Sequence, residues 1–223
     1  IGTELIGLTT QDAITDYAVE SLKVQDFKKD EQVLETKLLK LLSSWQAAAN
    51  LFVDALANTD PTPGGGSAGA VNGAMGCALG QMALGISLRS KKLDEAKKPA
   101  LRDLSERLGA HKVALQNCVA EDSASFDGFM EAMKLPKDNP ERKVKMQAAL
   151  KHAAEVPLKT ARLASEALAG LQVCAAYVSP QVVSDYRSAG YQLEAAIRCA
   201  AENVYINAEG LEDKAYAEKI IAE

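Results

Sequence analysis

An all-helical bundle, with a short strand-helix appendage at its N-terminal end, is the fold this sequence predicts. Three observations point to it. The chain is 48% hydrophobic but only 5% aromatic, with alanine and leucine dominant, a composition suited to helices packed closely on small side chains. Apolar residues recur at three- and four-residue intervals over long stretches. Residues 67–88 carry no charge at all, and glycines recur four apart at Gly65, Gly69 and Gly73, then at Gly76 and Gly80. That run reads as a central small-residue-rich helix enclosed by others. It reaches the roughly 20 residues a membrane span needs, but its glycines, with Asn72, Gln81 and Ser87, leave it poorly apolar. No aromatic belt flanks it, so no membrane is expected.

The chain has 223 residues, enough for one sizeable core plus an appendage. A net charge of -5 argues against non-specific nucleic-acid binding. Cys77, Cys118, Cys174 and Cys199 lie far apart with no CxxC pair, and there are two histidines. No metal site is expected, and the cysteines read as small buried hydrophobes in a reducing, cytoplasmic compartment. The chain opens on Ile1 rather than methionine, as a segment of a longer polypeptide would.

In chain order, residues 4–8 are the best strand candidate, though one strand is not stable alone. Thr9 or Thr10 then caps a helix with Ala13, Ile14, Tyr17, Ala18 and Leu22 on one face, and residues 24–31 form a charged linker. Val33, Leu34, Leu38, Leu41 and Leu42 mark a leucine-rich helix, followed by one carrying Trp45, Ala49, Phe52, Val53 and Leu56. The turn Pro61-Thr62-Pro63-Gly64-Gly65-Gly66-Ser67 stops it, and Ser67 is the expected N-cap of the central helix. Free N–H groups at such a glycine turn suit an anion or a carbonyl, although the Lys-Ser/Thr of a P-loop is missing.

Arg89, Lys91, Lys92, Lys97 and Lys98 follow, either a solvated face or a contact for an anionic ligand. From about Ala100 to Met133 an apolar stripe runs through Leu101, Leu104, Leu108, Leu115, Val119, Phe126, Met130 and Met133, interrupted by His111 and Asp122. Asp122 is either an acid-base group or a carboxylate paired within the bundle; His111 reads as a satisfied histidine at the edge of the core. Asn139-Pro140 starts another helix, which Val156-Pro157 breaks or kinks. After Ser179-Pro180 the last long helix sets Asn203 and Asn207 four apart, facing either a polar ligand edge or a neighbouring helix.

Over roughly residues 45–223 the sequence resembles the folate cyclodeaminase and cyclohydrolase family. The proline-glycine turn is similar to the family's opening signature. Glu121-Asp122-Ser123-Ala124-Ser125-Phe126 with Ala132-Met133-Lys134-Leu135-Pro136-Lys137 is similar to the second. Ser184-Asp185, Asn203-Val204-Tyr205-Ile206-Asn207 and Asp213 resemble the third. Thr3-Glu4-Leu5-Ile6-Gly7-Leu8 and Gln32-Val33-Leu34-Glu35 resemble the tail of a glutamate formiminotransferase domain. The expected division is therefore residues 1–43, a remnant of that domain with its linker, and 44–223, a cyclodeaminase-like helical domain.

The resemblance implies a homodimer or a ring of dimers, a possible fused or partner formiminotransferase domain, and a role in one-carbon metabolism and histidine degradation. It assigns the acid-base role to Asp122. The expected substrate-binding set is Gly64, Gly65, Gly66 and Ser67, with Asp185, Asn203 and Asn207, and Lys91, Lys92 and Lys137 on the anionic tail of a folate, polyglutamylated or not. The implied activity is formimidoyltetrahydrofolate cyclodeaminase, an ammonia lyase needing no cofactor beyond its tetrahydrofolate substrate. Alternatives are methenyl-tetrahydrofolate cyclohydrolase and a non-catalytic folate-binding or oligomerisation module.

Overall fold

The computed structural model describes residues 10–42 and 44–223. By internal contacts the chain divides into two compact units, residues 1–54 and 55–223. In the first, α1 (Gln11–Leu22), α2 (Lys29–Gln32) and α3 (Leu34–Leu42) follow in order, and α4 (Trp45–Ala57) crosses the boundary. Thr10 caps α1, its hydroxyl oxygen accepting from the Ala13 N–H at 3.3 Å. The expected apolar face is not buried: Tyr17 is 72% and Leu22 75% exposed. The strand expected at residues 4–8 lies outside the described residues, among which there is no strand.

The second unit is built on four long helices, α5 (Gly65–Leu88), α6 (Lys98–Lys134), α7 (Arg142–Cys174) and α8 (Val183–Glu209), closed by the short α9 (Lys214–Ala222). α5 packs on α6 and α8, α7 packs on the same two, and α5 meets α7 only weakly across the diagonal. Gly66 faces Asp122, Gly73 faces Leu115 and Gly80 faces Leu108. The partner's number falls by seven for every seven residues gained, so α5 and α6 run antiparallel with a heptad-like seam.

Leucines fill the space the glycines leave. A Cβ placed on Gly170 would lie 2.5 Å from Leu104 Cδ1, and one on Gly76 would lie 2.7 Å from Leu193 Cγ and 2.9 Å from the Ala189 carbonyl oxygen. Such contacts bring the backbones closer than any other residue permits. Around them Leu84, Leu101, Leu104, Leu108, Leu115 and Leu193 are almost wholly buried. The few buried polar groups are pinned: Ser87 Oγ donates to Ala83 O at 2.7 Å and accepts from Ser179 N–H at 2.8 Å, and Tyr186 Oη donates to Leu171 O at 2.6 Å.

Four expectations need correction. α5 starts at Gly65 with Gly64 as its cap; Ser67 lies inside the first turn, and its hydroxyl points sideways to α6 instead of capping. α5 is not enclosed on all sides within the chain, because Met75 and Met82 are each 42% exposed. Its glycine stripe is used against α6, α7 and α8 of the same chain. α7 runs unbroken through the buried Pro157. The α6 stripe also loses its cover beyond the start of α5, leaving Met130 39% and Met133 42% exposed. By length and composition α5 could cross a membrane, yet 44% of its most apolar window is buried in the bundle.

Candidate active site

Where α5 begins, the neighbouring helices continue past it and leave a cavity of about 330 Å³. Its floor is the proline-glycine turn, from Pro61 and Thr62 to Gly64, Gly65 and Gly66. α6 contributes Asp122, Ser125, Phe126 and Phe129, spaced so that one helical face carries a carboxylate and two aromatic rings. α7 adds Leu150 and Ala153, and α8 adds Asn203, Ile206 and Asn207.

The glycines of the turn shape this floor. A Cβ on Gly66 would fall 2.2 Å from Asp122 Oδ1, and one on Gly65 would fall 3.1 Å from Asn203 Nδ2. The carboxylate therefore occupies the place a side chain at residue 66 would take. Ser67 Oγ donates to Asp122 Oδ2 at 2.8 Å and lies 3.3 Å from Val119 O, while Ser125 Oγ donates to the Asp122 carbonyl at 2.7 Å. Asp122 Oδ1 accepts no hydrogen bond from the described residues. No buried side-chain oxygen or nitrogen among them lacks a partner, so Oδ1 is accessible.

The asparagines are oriented by carbonyl groups. Asn203 Nδ2 donates to Cys199 O at 2.8 Å; Asn207 Nδ2 donates to Asn203 O and to Ala153 O, both at 2.9 Å. Pro157 explains the last bond. It sits four residues after Ala153 and has no N–H, so that carbonyl has no intrahelical partner. Asn207 supplies the missing donor, which lets the helix continue. Both N–H groups of Asn207 are engaged but only one of Asn203, so Asn207 and Asp122 present oxygen acceptors while Asn203 keeps one N–H. Such a cavity suits a flat ligand that carries both N–H donors and acceptors, with Phe126 and Phe129 as its aromatic walls.

Beside the cavity, Lys159 of α7 clasps Glu121 at 2.8 and 3.0 Å, and the hydrogen bonds it donates to Glu121 hold its ammonium above the usual lysine range. Burial raises the thiols of Cys77, to about 12, and of Cys118. Among the described residues no cluster of His, Cys, Asp or Glu could hold a metal ion. His111 is a bundle tie: Nδ1 donates to Leu163 O at 3.1 Å and Nε2 lies 3.5 Å from Glu166.

The structure thus brings Gly64, Gly65, Gly66, Asp122, Asn203 and Asn207 together. It separates the others. Ser67 is adjacent but fully buried and lines no part of the cavity. Lys91 and Lys92 follow the other end of α5, about 36 Å away at 1.5 Å per residue. Asp185 lies about 27 Å back along α8. Lys137 is exposed in the loop after α6. Asp213 caps α9, accepting from Tyr216 N–H at 3.0 Å. Phe129 was not singled out from the sequence, although its place seven residues after Asp122 puts it on the same face.

Residues 48–223 match the family described as Formiminotransferase-cyclodeaminase. The chain is 39% identical over 176 residues to a methenyltetrahydrofolate cyclohydrolase of Methylorubrum extorquens, covering 77% of this chain and 84% of that one. It is 35% identical over 169 residues to the formimidoyltransferase-cyclodeaminase of Gallus gallus, covering 74% of this chain but 31% of the chicken protein. The crystal structure of a formiminotetrahydrofolate cyclodeaminase from Thermotoga maritima superposes with a TM-score of 0.70 at 26% identity, over 80% of this chain and 85% of that one.

A helical bundle with this cavity and these relatives belongs among the folate-interconverting enzymes of one-carbon metabolism. More particularly, the chain is a member of the formiminotransferase-cyclodeaminase family.

Proposed function

We propose that the protein closes 5-formimino-tetrahydrofolate to 5,10-methenyl-tetrahydrofolate with release of ammonia. The observation that carries this reading is the single carboxylate lining the cavity, Asp122, with one oxygen pinned and the other open. In the substrate, an imine-bearing carbon hangs on one folate nitrogen and a second folate nitrogen attacks it. With the imine nitrogen protonated (=NH2+) in the substrate, Asp122 accepts the proton of the attacking nitrogen and returns it to that imine nitrogen, which leaves as ammonia while the carbon keeps the positive charge of the methenyl ring. Both reacting nitrogens belong to one molecule, so the protein's remaining task is to fix their geometry and exclude water.

A cavity of about 330 Å³ is at the small end of ligand sites, roughly 300–1,000 Å³. It suits the reacting end of a folate and leaves the anionic tail outside. Lys91 and Lys92 act on that tail only where a second copy brings them to the cavity. The reading accordingly includes a homodimer, or a ring of dimers, with the Met75 and Met82 face of α5 at its seam. It also takes the protein as cytoplasmic, with residues 1–43 as the tail of a formiminotransferase domain.

The Methylorubrum extorquens relative favours a second reading, hydrolysis of the methenyl ring with the same carboxyl group activating water. Incubating the protein separately with formimino- and methenyl-tetrahydrofolate distinguishes the two. Ammonia release with a rise in methenyl absorbance from the first substrate is expected. Loss of methenyl absorbance without ammonia supports the hydrolase, and no turnover of either overturns both.

A further inference from the structure

We infer that Ser67 is a positioning residue, which fixes the Asp122 carboxylate so that Oδ1 alone exchanges protons with the substrate. This rests on the proton-transfer role proposed above for Asp122. Ser67 is 0% exposed and lines no part of the cavity, so it cannot touch a ligand there. Its hydroxyl has one proton and two acceptors in reach: the Val119 carbonyl at 3.3 Å and Asp122 Oδ2 at 2.8 Å. The charged acceptor is also the nearer, and a charge-assisted bond is about twice as strong as a neutral one.

The torsion that turns a carboxyl group is soft and roughly two-fold. Left alone, the group would exchange its two oxygens and tilt away from the substrate. The Ser67 bond holds Oδ2 towards the bundle, and the missing side chain at Gly66 makes the notch in which Oδ1 lies. Oδ2, already accepting from Ser67, serves as the carbonyl-like oxygen when Asp122 is neutral, so the proton resides on Oδ1. The proton taken from the attacking nitrogen is therefore held on the same atom that delivers it to the leaving nitrogen. The arrangement uses a helix position that would ordinarily cap or face solvent: Ser67 is in the first turn of α5, and Gly64 holds the cap.

The test compares Ser67→Ala, Ser67→Thr, Asp122→Asn and the Ser67→Ala/Asp122→Asn double variant on whichever of the two folates the wild type turns over. Ser67→Ala keeps helix propensity and is expected to lower kcat roughly ten- to thirtyfold while KM stays within about twofold, the pattern of an interaction that matters in the transition state. Ser67→Thr, which retains the hydroxyl, is expected to recover most of the loss. In the Asp122→Asn background, Ser67→Ala should cost less than about twofold further, since there is no carboxylate left to fix. If the double variant loses the same factor as Ser67→Ala alone, the serine acts on the fold and the inference fails, whatever Ser67→Thr does. Normal kcat in Ser67→Ala beside an impaired Asp122→Asn overturns the assignment of Ser67 only. Normal kcat in Asp122→Asn overturns the reading of Asp122 and this inference with it.

Discussion

The first turn of α5 and its middle use the same residue to opposite ends. Gly65 and Gly66 stand against the amide of Asn203 and the carboxylate of Asp122, whereas Gly73, Gly76 and Gly80 stand against leucine side chains and, at Gly76, a backbone carbonyl. At the start of the helix the missing side chain makes room for polar side chains of the cavity. In the middle it lets helices approach. The neighbours also differ in how they can respond to an added methyl: a carboxylate swings aside at the cost of one hydrogen bond, whereas a backbone can move only with its whole helix. Substitutions in the first turn should therefore appear in turnover, and those in the middle in stability.

The largest effect that tests this division is expected at Asp122. Asp122→Asn keeps the size but cannot carry the proton, so kcat should fall roughly a hundredfold or more, with folate still bound and the thermal unfolding midpoint close to that of the wild type. A parallel loss of midpoint and folate affinity would make Asp122 a structural carboxylate and erase the contrast. Next is Gly76→Leu, which overpacks the α5–α8 contact and should cost about 2–3 kcal/mol or more in denaturant unfolding. An unchanged midpoint there would mean that the helices separate easily.

Gly66→Ala should show the reverse pattern. The new methyl displaces the carboxylate, and kcat is expected to fall roughly tenfold, while the gain of alanine over glycine in a helix, about 1 kcal/mol, keeps unfolding near wild type. Equal losses of activity and stability would place residue 66 with the packing glycines. The smallest effect concerns Cys77, midway along α5, whose thiol burial pushes up to about 12. At pH 8 its thiolate fraction is then on the order of one in ten thousand. Mass spectrometry after maleimide treatment of the folded protein should find Cys77 unmodified, and its labelling would show that the middle of α5 is not sealed.

Much of this division was legible before any coordinates. The uncharged run with its glycines four apart marks a helix that others crowd, and Asp122 stands out because a carboxylate interrupts a periodic apolar stripe. The position of Ser67 was misread because a serine after glycines is an ordinary cap signal; only α6, lying beside it, draws the hydroxyl sideways. Pro157 reads from the sequence as a break or a kink, because the local rule counts only the lost N–H, and the break does not occur. The replacement donor lies fifty residues later in the sequence, on α8. Lys91 and Lys92 were grouped with the glycine turn by chemistry, although the uncharged run already put the length of the central helix between them.

The bond between Asn207 and the carbonyl that Pro157 leaves unpartnered makes the orientation of a cavity side chain depend on a buried proline. Were Pro157 replaced by alanine, its new amide would compete for the Ala153 carbonyl, and the Asn207 amide group would be held by the Asn203 carbonyl alone. One Asn207 N–H would then be released, although residue 157 does not line the cavity. The polar edge of the cavity can thus be changed from a buried position that does not line it.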